Sequence, residues 1–340
     1  DATFAVNVDM VNNDITNGGT ITATTFVGAL STTNPIAFAI TDGIIANITD
    51  GIYTSVVKTD TFNSAAVSGG QLAIGSLAGT TTQGVNAVAI GTSAGSNTQG
   101  TDSIAIGRLT GTTTQGTQAV AVGRQAGSTT QGNFATAVGY LAGSVSQGTN
   151  SVAVGNNAGS SSQGGSSVAV GINAGATTQG SSSVAIGVNA GQTNQVGNSI
   201  AIGGNAGNAG QLGSAVAVGF RAGQNNQQLY AISVGLDAGQ TTQGQDAVAI
   251  GRTAGQTTQG GESIAIGYLA ANNTQGSQSI AIGRSAGATT QGTFAVAVGY
   301  GTGATTQGAN TVAVGVSAGA STQGGGSVAV GQSAGQTTQA

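Results

Sequence analysis

The 340-residue sequence has no cysteine, histidine or tryptophan, and it has a single proline. Without Cys or His it cannot form disulfides, thiolate nucleophiles, imidazole bases or the usual zinc sites. We therefore expect no catalytic residue, no cofactor and no metal. Only six residues are basic and the net charge is -4. Because nucleic-acid binding needs a stripe of Lys and Arg that neutralises phosphates, it is not expected either.

Long apolar runs are also missing, so no membrane-spanning helix is predicted. The sequence begins at Asp1 without a charged and apolar leader, and we interpret it as a mature chain or a fragment. Disorder is not expected, because 38% of the residues are hydrophobic. The abundance of Thr, Ser, Asn and Gln is typical of extracellular or virion-surface proteins.

The composition divides the chain into residues 1–70 and 71–340. The first part holds six of the ten acidic residues and the only lysine, Lys58, which we expect to be solvated rather than to form a Schiff base. Its short alternating runs, such as residues 20–27, are broken by turn signals. We predict a small, non-repetitive segment of short β-strands that serves in attachment or capping.

The second part repeats one pattern seventeen times with a fixed step of sixteen residues. Gly recurs from Gly75 to Gly331 and Gln from Gln83 to Gln339 in this step, without insertion or deletion. A fixed short period is typical of a solenoid. Sixteen residues are too few for a helix plus a strand, so each repeat should be one coil of parallel β-structure. Seventeen coils at ~4.8 Å each would make a rod of roughly 80 Å.

Alternation within one coil predicts which side chains share a face. Val88 and Ile90 lie two residues apart, and they are expected to form the inner core with their equivalents in other coils. Ala89 would then face outward. Since solvated positions seldom stay this small, we infer that further copies of the chain pack there. The predicted interface alanines are Ala89, Ala105, Ala121, Ala153, Ala169 and Ala185. The alternative is that alanine fits a tight turn within one chain.

The Thr-Thr-Gln-Gly segment is the other constant of the repeat. Glutamines stacked at 83, 99 and 115 can form an amide ladder along the axis, which would stiffen the rod. The threonines should form a row of hydroxyl groups beside it.

Two pentads resemble a known family. Ser-Val-Ala-Val-Gly, as at residues 151–155, and Ala-Val-Ala-Ile-Gly, as at residues 87–91, are each followed by Ala-Gly at fixed spacing. They are similar to the head repeats of YadA-like trimeric autotransporter adhesins and more similar still to repeat shafts of phage and large DNA-virus fibres, although the coil is longer than the adhesin repeat. Residues 19–28 also resemble linking segments of such fibres. The resemblance implies a left-handed parallel β-roll, three chains around one axis, and a role in surface attachment.

Asp246 and Glu262 occupy one column in adjacent coils, at about 5 Å, which matches the carboxylate separation of a retaining glycosidase. Nothing near them predicts a cleft, and Arg252 is expected to neutralise them, so we predict no catalysis.

Aromatic residues fall into two further columns and are candidates for stacking on glycans or for packing between chains. They are Phe134, Tyr230 and Phe294 in one column, and Tyr140, Phe220, Tyr268 and Tyr300 in the other.

The sequence therefore predicts a structural fibre or adhesin rod that positions attachment to a host or surface. One alternative is a self-assembling filament subunit, in which residues 1–70 cap the uncovered last coil of the next rod. Another is an ice-binding solenoid that uses its Thr rows, although adjacent threonines should leave only one of each pair facing outward.

Overall fold

A computed structural model describes residues 70–339, and within this range the chain is entirely β-structure and turns. The expected parallel β-solenoid is confirmed. The predictions for Lys58 and for the short strands of the first part concern residues outside the described range.

Each coil contains two short strands joined by two turns. In one coil, a three-residue strand, Val88–Ile90, leads through a turn into the two-residue strand Thr98–Gln99. A second turn then returns the chain to the next three-residue strand, Ile104–Ile106. The three-residue strands form one sheet of seventeen parallel strands, which we call the wide sheet.

The wide-sheet strands are Leu72–Ile74, Val88–Ile90, Ile104–Ile106, Val120–Val122, Thr136–Val138, Val152–Val154, Val168–Val170, Val184–Ile186, Ile200–Ile202, Val216–Val218, Ile232–Val234, Val248–Ile250, Ile264–Ile266, Ile280–Ile282, Val296–Val298, Val312–Val314 and Val328–Val330.

The opposite side of the coil carries two narrower sheets, of six and nine strands. The first comprises Thr82–Gln83, Thr98–Gln99, Thr114–Gln115, Thr130–Gln131, Val145–Gln147 and Ser161–Gln163. The second comprises Ala209–Gln211, Asn225–Gln227, Thr242–Gln243, Thr258–Gln259, Thr274–Gln275, Thr290–Gln291, Thr306–Gln307, Thr322–Gln323 and Thr338–Gln339. Isolated bridges through Gln179 continue the ladder between them.

The register is the sixteen-residue step read from the sequence. Val88 pairs with Ile104, Ala89 with Ala105, and Gln99 with Gln115. Because the strands are parallel and in register, equivalent residues of successive coils form columns along the axis, and the Ala, Val/Ile and Gln columns are stacks of like side chains.

The interior of the coil corrects the predicted orientation of the wide-sheet strands. The six alanines predicted to contact a sister chain, Ala89, Ala105, Ala121, Ala153, Ala169 and Ala185, are each 0% exposed within their own chain. Val88 and Ile90 point outward and stay partly exposed. The prediction that valine and isoleucine form the inner core was wrong, and alanine fills the tight interior of one chain.

The reason for this orientation is the small space between the two sides of the coil. A Cβ built onto Gly95, in the turn opposite Ala89, would lie only 3.4 Å from the Ala89 Cβ and 2.7 Å from Oε1 of Gln99. An interior already filled by a methyl group and an amide has no room for an isopropyl or sec-butyl group, since overpacking forces the backbone apart.

The glutamine column lies inside the coil and forms an amide ladder over several stretches of the rod. Oε1 of Gln99 and Oε1 of Gln115 accept no hydrogen bond, so the ladder predicted at Gln83, Gln99 and Gln115 does not form at those three residues. Nε2 of Gln211 donates to the Ile200 carbonyl oxygen across the coil at 2.8 Å and to Oε1 of Gln227 in the next coil at 3.1 Å. Oε1 of Gln211 accepts from Nε2 of Gln195 at 3.1 Å. Each such amide therefore ties the two sides of one coil together and joins that coil to its neighbours.

The threonine row also differs from the prediction that one member of each pair faces outward. Thr113 and Thr114 are both exposed. The strand begins only at Thr114, so Thr113 lies in the preceding bend, where strict alternation does not apply. In the equivalent position to Thr114, Ser146 and Asn226 adopt positive φ, a conformation that a β-branched residue avoids.

The buried amides generate a first prediction. Replacing Gln211 with Leu keeps the side chain's approximate size but removes its hydrogen bonds to Ile200, Ala215 and Gln227. Because unpaired buried polar groups cost about 1–3 kcal/mol each, we expect a clear fall in the midpoint of urea unfolding. Gln245→Leu, at an exposed corner, is the matched control and should leave the midpoint within error. Equal midpoints for the two variants would contradict a stabilising role for the ladder.

The close stacking of glycine corners generates a second prediction. Gly251 has φ 125°, and a Cβ there would lie 2.7 Å from the Gly267 carbonyl oxygen. Gly331 has φ 115° but no atom within 4 Å of the same Cβ position. Both alanine variants bear backbone strain, whereas only Gly251→Ala adds a clash with the next coil. We expect Gly251→Ala to lower the thermal midpoint further than Gly331→Ala, and the reverse order would contradict the stacking argument.

Candidate interaction surface

The outer face of the wide sheet is an apolar strip along the described coils, interrupted by a single polar residue. Its two columns contain only Val, Ile and Leu, with Thr136 as the exception. We call this surface the Val/Ile face. Side chains such as Ile106, Ile202 and Ile250 remain 37–38% exposed. The largest apolar patch on a typical monomer is ~300–600 Å², and larger ones mark interaction sites.

The narrow-sheet side has a different surface chemistry. Its outward residues are mainly threonines, such as Thr258 and Thr274, which are exposed and can hydrogen-bond to water. The rod therefore has one apolar face and one hydroxyl face. Only the apolar face gains free energy by leaving water.

Two columns of corner residues border the Val/Ile face. The leading edge consists of the residues two positions before each wide-sheet strand, such as Asp102, and the trailing edge of those two positions after it, such as Arg108. Leading-edge residues adopt positive φ in coil after coil, for example 55° at Asp102 and 57° at Asp246.

The predicted carboxylate pair lies on the leading edge. Asp246 Oδ2 accepts from Gln245 Nε2 at 3.1 Å, and Glu262 Oε2 accepts from Gln278 Nε2 at 3.0 Å. Arg252 was expected to neutralise the pair, but no ion pair joins it to either carboxylate within residues 70–339. Its guanidinium instead lies over the Tyr268 ring, 4.1 Å from the centroid.

The seven predicted aromatic residues occupy the two edges. On the leading edge Phe134, Tyr230 and Phe294 are 53–56% exposed. On the trailing edge are Tyr140, Phe220, Tyr268 and Tyr300, where arginines stack between the tyrosines. The Arg284 guanidinium, for example, lies 5.6 Å from the Tyr268 centroid and 5.5 Å from that of Tyr300.

One ion pair was missed by the sequence reasoning. Arg221 Nε lies 2.7 Å from Asp237 Oδ1, and the Arg221 terminal nitrogen donates to Oδ2 at 2.8 Å. The two residues are sixteen apart, so the repeat itself places them in adjacent coils of one column. This ion pair, with its single hydrogen bond from the terminal nitrogen, joins two neighbouring coils next to the trailing edge.

Stacked parallel coils with one apolar face define this part of the chain as a β-solenoid rod. The family model of the YadA head domain repeat matches residues 83–110, 99–126, 115–142, 142–158 and 275–302. The resemblance of the Val-Ala-Val-Gly and Val-Ala-Ile-Gly segments to YadA-like head repeats is therefore confirmed over these stretches, whereas the resemblance to phage and virus fibre shafts stays a prediction. A search of the curated proteins finds no match to the chain. Residues 70–339 contain no helix that is long and apolar enough to cross a membrane.

Proposed function

We propose that this chain is the structural rod of a surface fibre or adhesin, and that its rods assemble side by side through the Val/Ile face. The observation that carries the proposal is the apolar strip on the outside of the wide sheet. An exposed strip of this length favours aggregation unless a partner covers it. A second copy of the chain supplies an equally long apolar surface with the same coil spacing.

The number of copies and the location follow from the family resemblance. YadA head repeats support an adhesive, surface-exposed structural role, and we propose a homotrimer of left-handed rods at a cell or virion surface. Self-association was predicted from the alanine columns, and we now assign it to Val and Ile. End-to-end joining through residues 1–70 stays a prediction, as does contact of the seven aromatic residues with a glycan or receptor.

A third prediction tests the assembly face by introducing charge. Light scattering of the wild-type chain should give a multiple of 32.1 kDa. The triple variant Ile250→Lys, Ile266→Lys and Ile282→Lys places three charges on the Val/Ile face, where the side chains point away from their own core. Because burying unpaired charges between rods is strongly unfavourable, we expect a folded monomer.

The matched control carries three lysines on the opposite side of the same coils: Thr258→Lys, Thr274→Lys and Thr290→Lys. These residues are exposed, so this variant should keep the wild-type mass. Circular dichroism verifies that both variants retain β-structure. A monomeric wild-type chain, or an isoleucine variant of wild-type mass, would contradict the proposal.

Ice binding is the alternative function that one observation favours: both threonines of several pairs are exposed. The double row is broken in mid-rod, however, at Val145, at Ala209–Gln211 and at Asn225–Gln227. To match a crystalline water lattice, the threonine hydroxyl groups would have to be regularly spaced over the whole face. The interrupted row does not meet this requirement.

We therefore make a fourth prediction, that the purified rod shows no thermal hysteresis in dilute solution. Loss of a measured hysteresis on replacing Thr258 and Thr274 with lysine would instead favour the ice-binding function.

A further inference from the structure

Arginine and tyrosine side chains of the trailing edge form a ladder along the rod axis. In four successive coils the trailing-edge residues are Arg252, Tyr268, Arg284 and Tyr300, which we call the Arg/Tyr ladder. The guanidinium groups of Arg252 and Arg284 lie 4.1 Å and 5.6 Å from the Tyr268 centroid. The Arg284 guanidinium also lies 5.5 Å from the Tyr300 centroid. Each cation of the ladder is therefore held in place by an aromatic ring.

The guanidinium groups of the ladder keep their hydrogen-bond donors free. Arginine carries five N–H donors in a planar fork, and stacking on a ring uses the face of that plane but not its edge. Within residues 70–339, the one arginine side chain that forms a hydrogen bond or an ion pair is Arg221, with Asp237. Arg252 and Arg284 are both exposed. Each therefore presents to solvent a charged, oriented fork of the kind that binds a carboxylate through two hydrogen bonds.

The carboxylates of the same coils do not neutralise these arginines. No trailing-edge residue is acidic. Asp246 and Glu262 lie on the leading edge, across the wide-sheet strands, where they accept hydrogen bonds from glutamine side chains. Six residues of extended chain, up to about 20 Å, separate the leading edge of a coil from its trailing edge. The positive charge of the ladder is therefore available to an anion from outside the chain.

A similar cluster occurs earlier in the rod. The Arg124 guanidinium lies 5.3 Å from the Tyr140 centroid, and Arg284 and Tyr300 repeat this pair 160 residues later, which is ten coils of sixteen. Arg108 adds a second exposed guanidinium one coil before Arg124. Ten coils at ~4.8 Å place the two clusters roughly 48 Å apart on the same edge. A long polyanion that follows the axis can contact both clusters, whereas a small anion cannot.

The spacing of the charges favours one class of polyanion. Arg252 and Arg284 are two coils apart, which corresponds to ~9.6 Å. Phosphates follow one another every ~3.4 Å along a DNA strand, so most of them would find no arginine. A pyranose unit of an extended polysaccharide is about as long as one coil is high. An acidic sugar at every second position would therefore place one carboxylate beside each arginine.

The tyrosine between the two arginines suits the neutral sugar of such a chain. Guanidinium groups lie against the Tyr268 ring from the preceding coil and from the following coil, so its faces are not open for stacking on a sugar. Its hydroxyl group can still donate a hydrogen bond to a sugar hydroxyl and accept one from it. Of the contacts with glycans predicted for the aromatic residues, this ring therefore favours a hydrogen bond over stacking.

We infer that the Arg/Tyr ladder binds an acidic polysaccharide that carries one carboxylate per disaccharide and extends along the rod axis. Arg252 and Arg284 bind the carboxylates through their N–H forks, and Tyr268 is a positioning residue that orients both forks. The inference names a ligand class for the proposed adhesive role and rests on that role. It does not depend on the number of chains that assemble, because all residues of the ladder belong to one chain.

The fifth prediction is that the wild-type chain binds long hyaluronan, a polysaccharide with one carboxylate per disaccharide. Biolayer interferometry on immobilised hyaluronan should show binding that weakens as NaCl is raised, because salt screens the charges. Uncharged dextran should not bind. Absence of hyaluronan binding would overturn the inference. Equally tight binding of single-stranded oligo(dT) would overturn the ligand class, since the spacing of the carboxylates would then be irrelevant.

A pair of variants with equal net charge locates the site. Arg252→Gln with Arg284→Gln should weaken hyaluronan binding by about tenfold or more, because charged hydrogen bonds and one of the two clusters are lost. The matched control, Thr258→Glu with Thr290→Glu, makes the same change of net charge on the opposite side of the same coils. Its affinity should stay within about twofold of wild type. Equal losses in the two double variants would indicate unspecific attraction and would overturn the site.

Two further comparisons test the fork and the ring. Arg252→Lys with Arg284→Lys keeps the charge but not the planar fork, so binding should weaken by about three- to tenfold, and full affinity would contradict the fork. Tyr268→Ala should weaken binding by about fivefold without changing its salt dependence, because the charges remain but are no longer oriented. Tyr268→Phe keeps the ring and should bind more tightly than Tyr268→Ala. Equal affinities of these two variants would contradict the positioning role.

Light scattering distinguishes failure of this site from failure of the proposed assembly. An oligomeric wild-type chain that does not bind hyaluronan would overturn the site and leave the self-association standing. A monomeric wild-type chain that binds would do the reverse. The variant Arg252→Gln with Arg284→Gln should keep the wild-type mass. A change of its mass would show that these arginines act between chains, and it would overturn their assignment to a polysaccharide.

Discussion

The narrow interior of the coil is the constraint on which the rest of this structure depends. Two backbones lie so close that the space between them accepts a methyl group from one side and an amide from the other. The methyl groups of Ala89 and Ala94 and the amide of Gln99 occupy it, and all three side chains are buried. Larger apolar groups are then excluded from the core by volume, however favourable their burial would be.

This constraint moves the hydrophobic surface to the outside of the chain. A polar amide ladder holds each coil together, and the valines and isoleucines that would normally form a core form an exposed sheet instead. The free energy of burying them becomes available only when another surface covers them. The rod is thus stabilised internally by hydrogen bonds and, in the proposed assembly, externally by association.

The sequence reveals the architecture more readily than the orientation of the strands. The unbroken sixteen-residue step of Gly and Gln is sufficient to predict stacked parallel coils, and the glutamine column predicts an amide ladder. Alternation shows that Val88 and Ile90 share a face, but it does not show which face. Hydrophobicity favours Val and Ile in the interior, whereas the available volume admits only Ala. That volume depends on the distance between the two sides of the coil, which the sequence does not give.

For the candidate surface, the sequence predicts which residues share a column but not where the columns lie on the rod. The aromatic columns and the Asp246–Glu262 column follow from the repeat, and so does the Arg221–Asp237 pair, since a step of sixteen residues brings equivalent positions together. The repeat does not predict that these columns border one apolar sheet, because that location depends on the outward orientation of Val and Ile. The exposure of Thr113 depends likewise on a bend, which alternation cannot reveal.

Solvent access to methyl groups in the assembled protein tests the central claim most directly. With Ala, Val, Ile and Thr methyls labelled, a soluble paramagnetic agent should broaden the Thr signals and leave both the Ala and the Val/Ile signals of the rod sharp. Ala would be protected by its own chain and Val and Ile by a neighbouring one. Val and Ile signals broadened as strongly as those of Thr would contradict the account, because the apolar face would then be bare in solution.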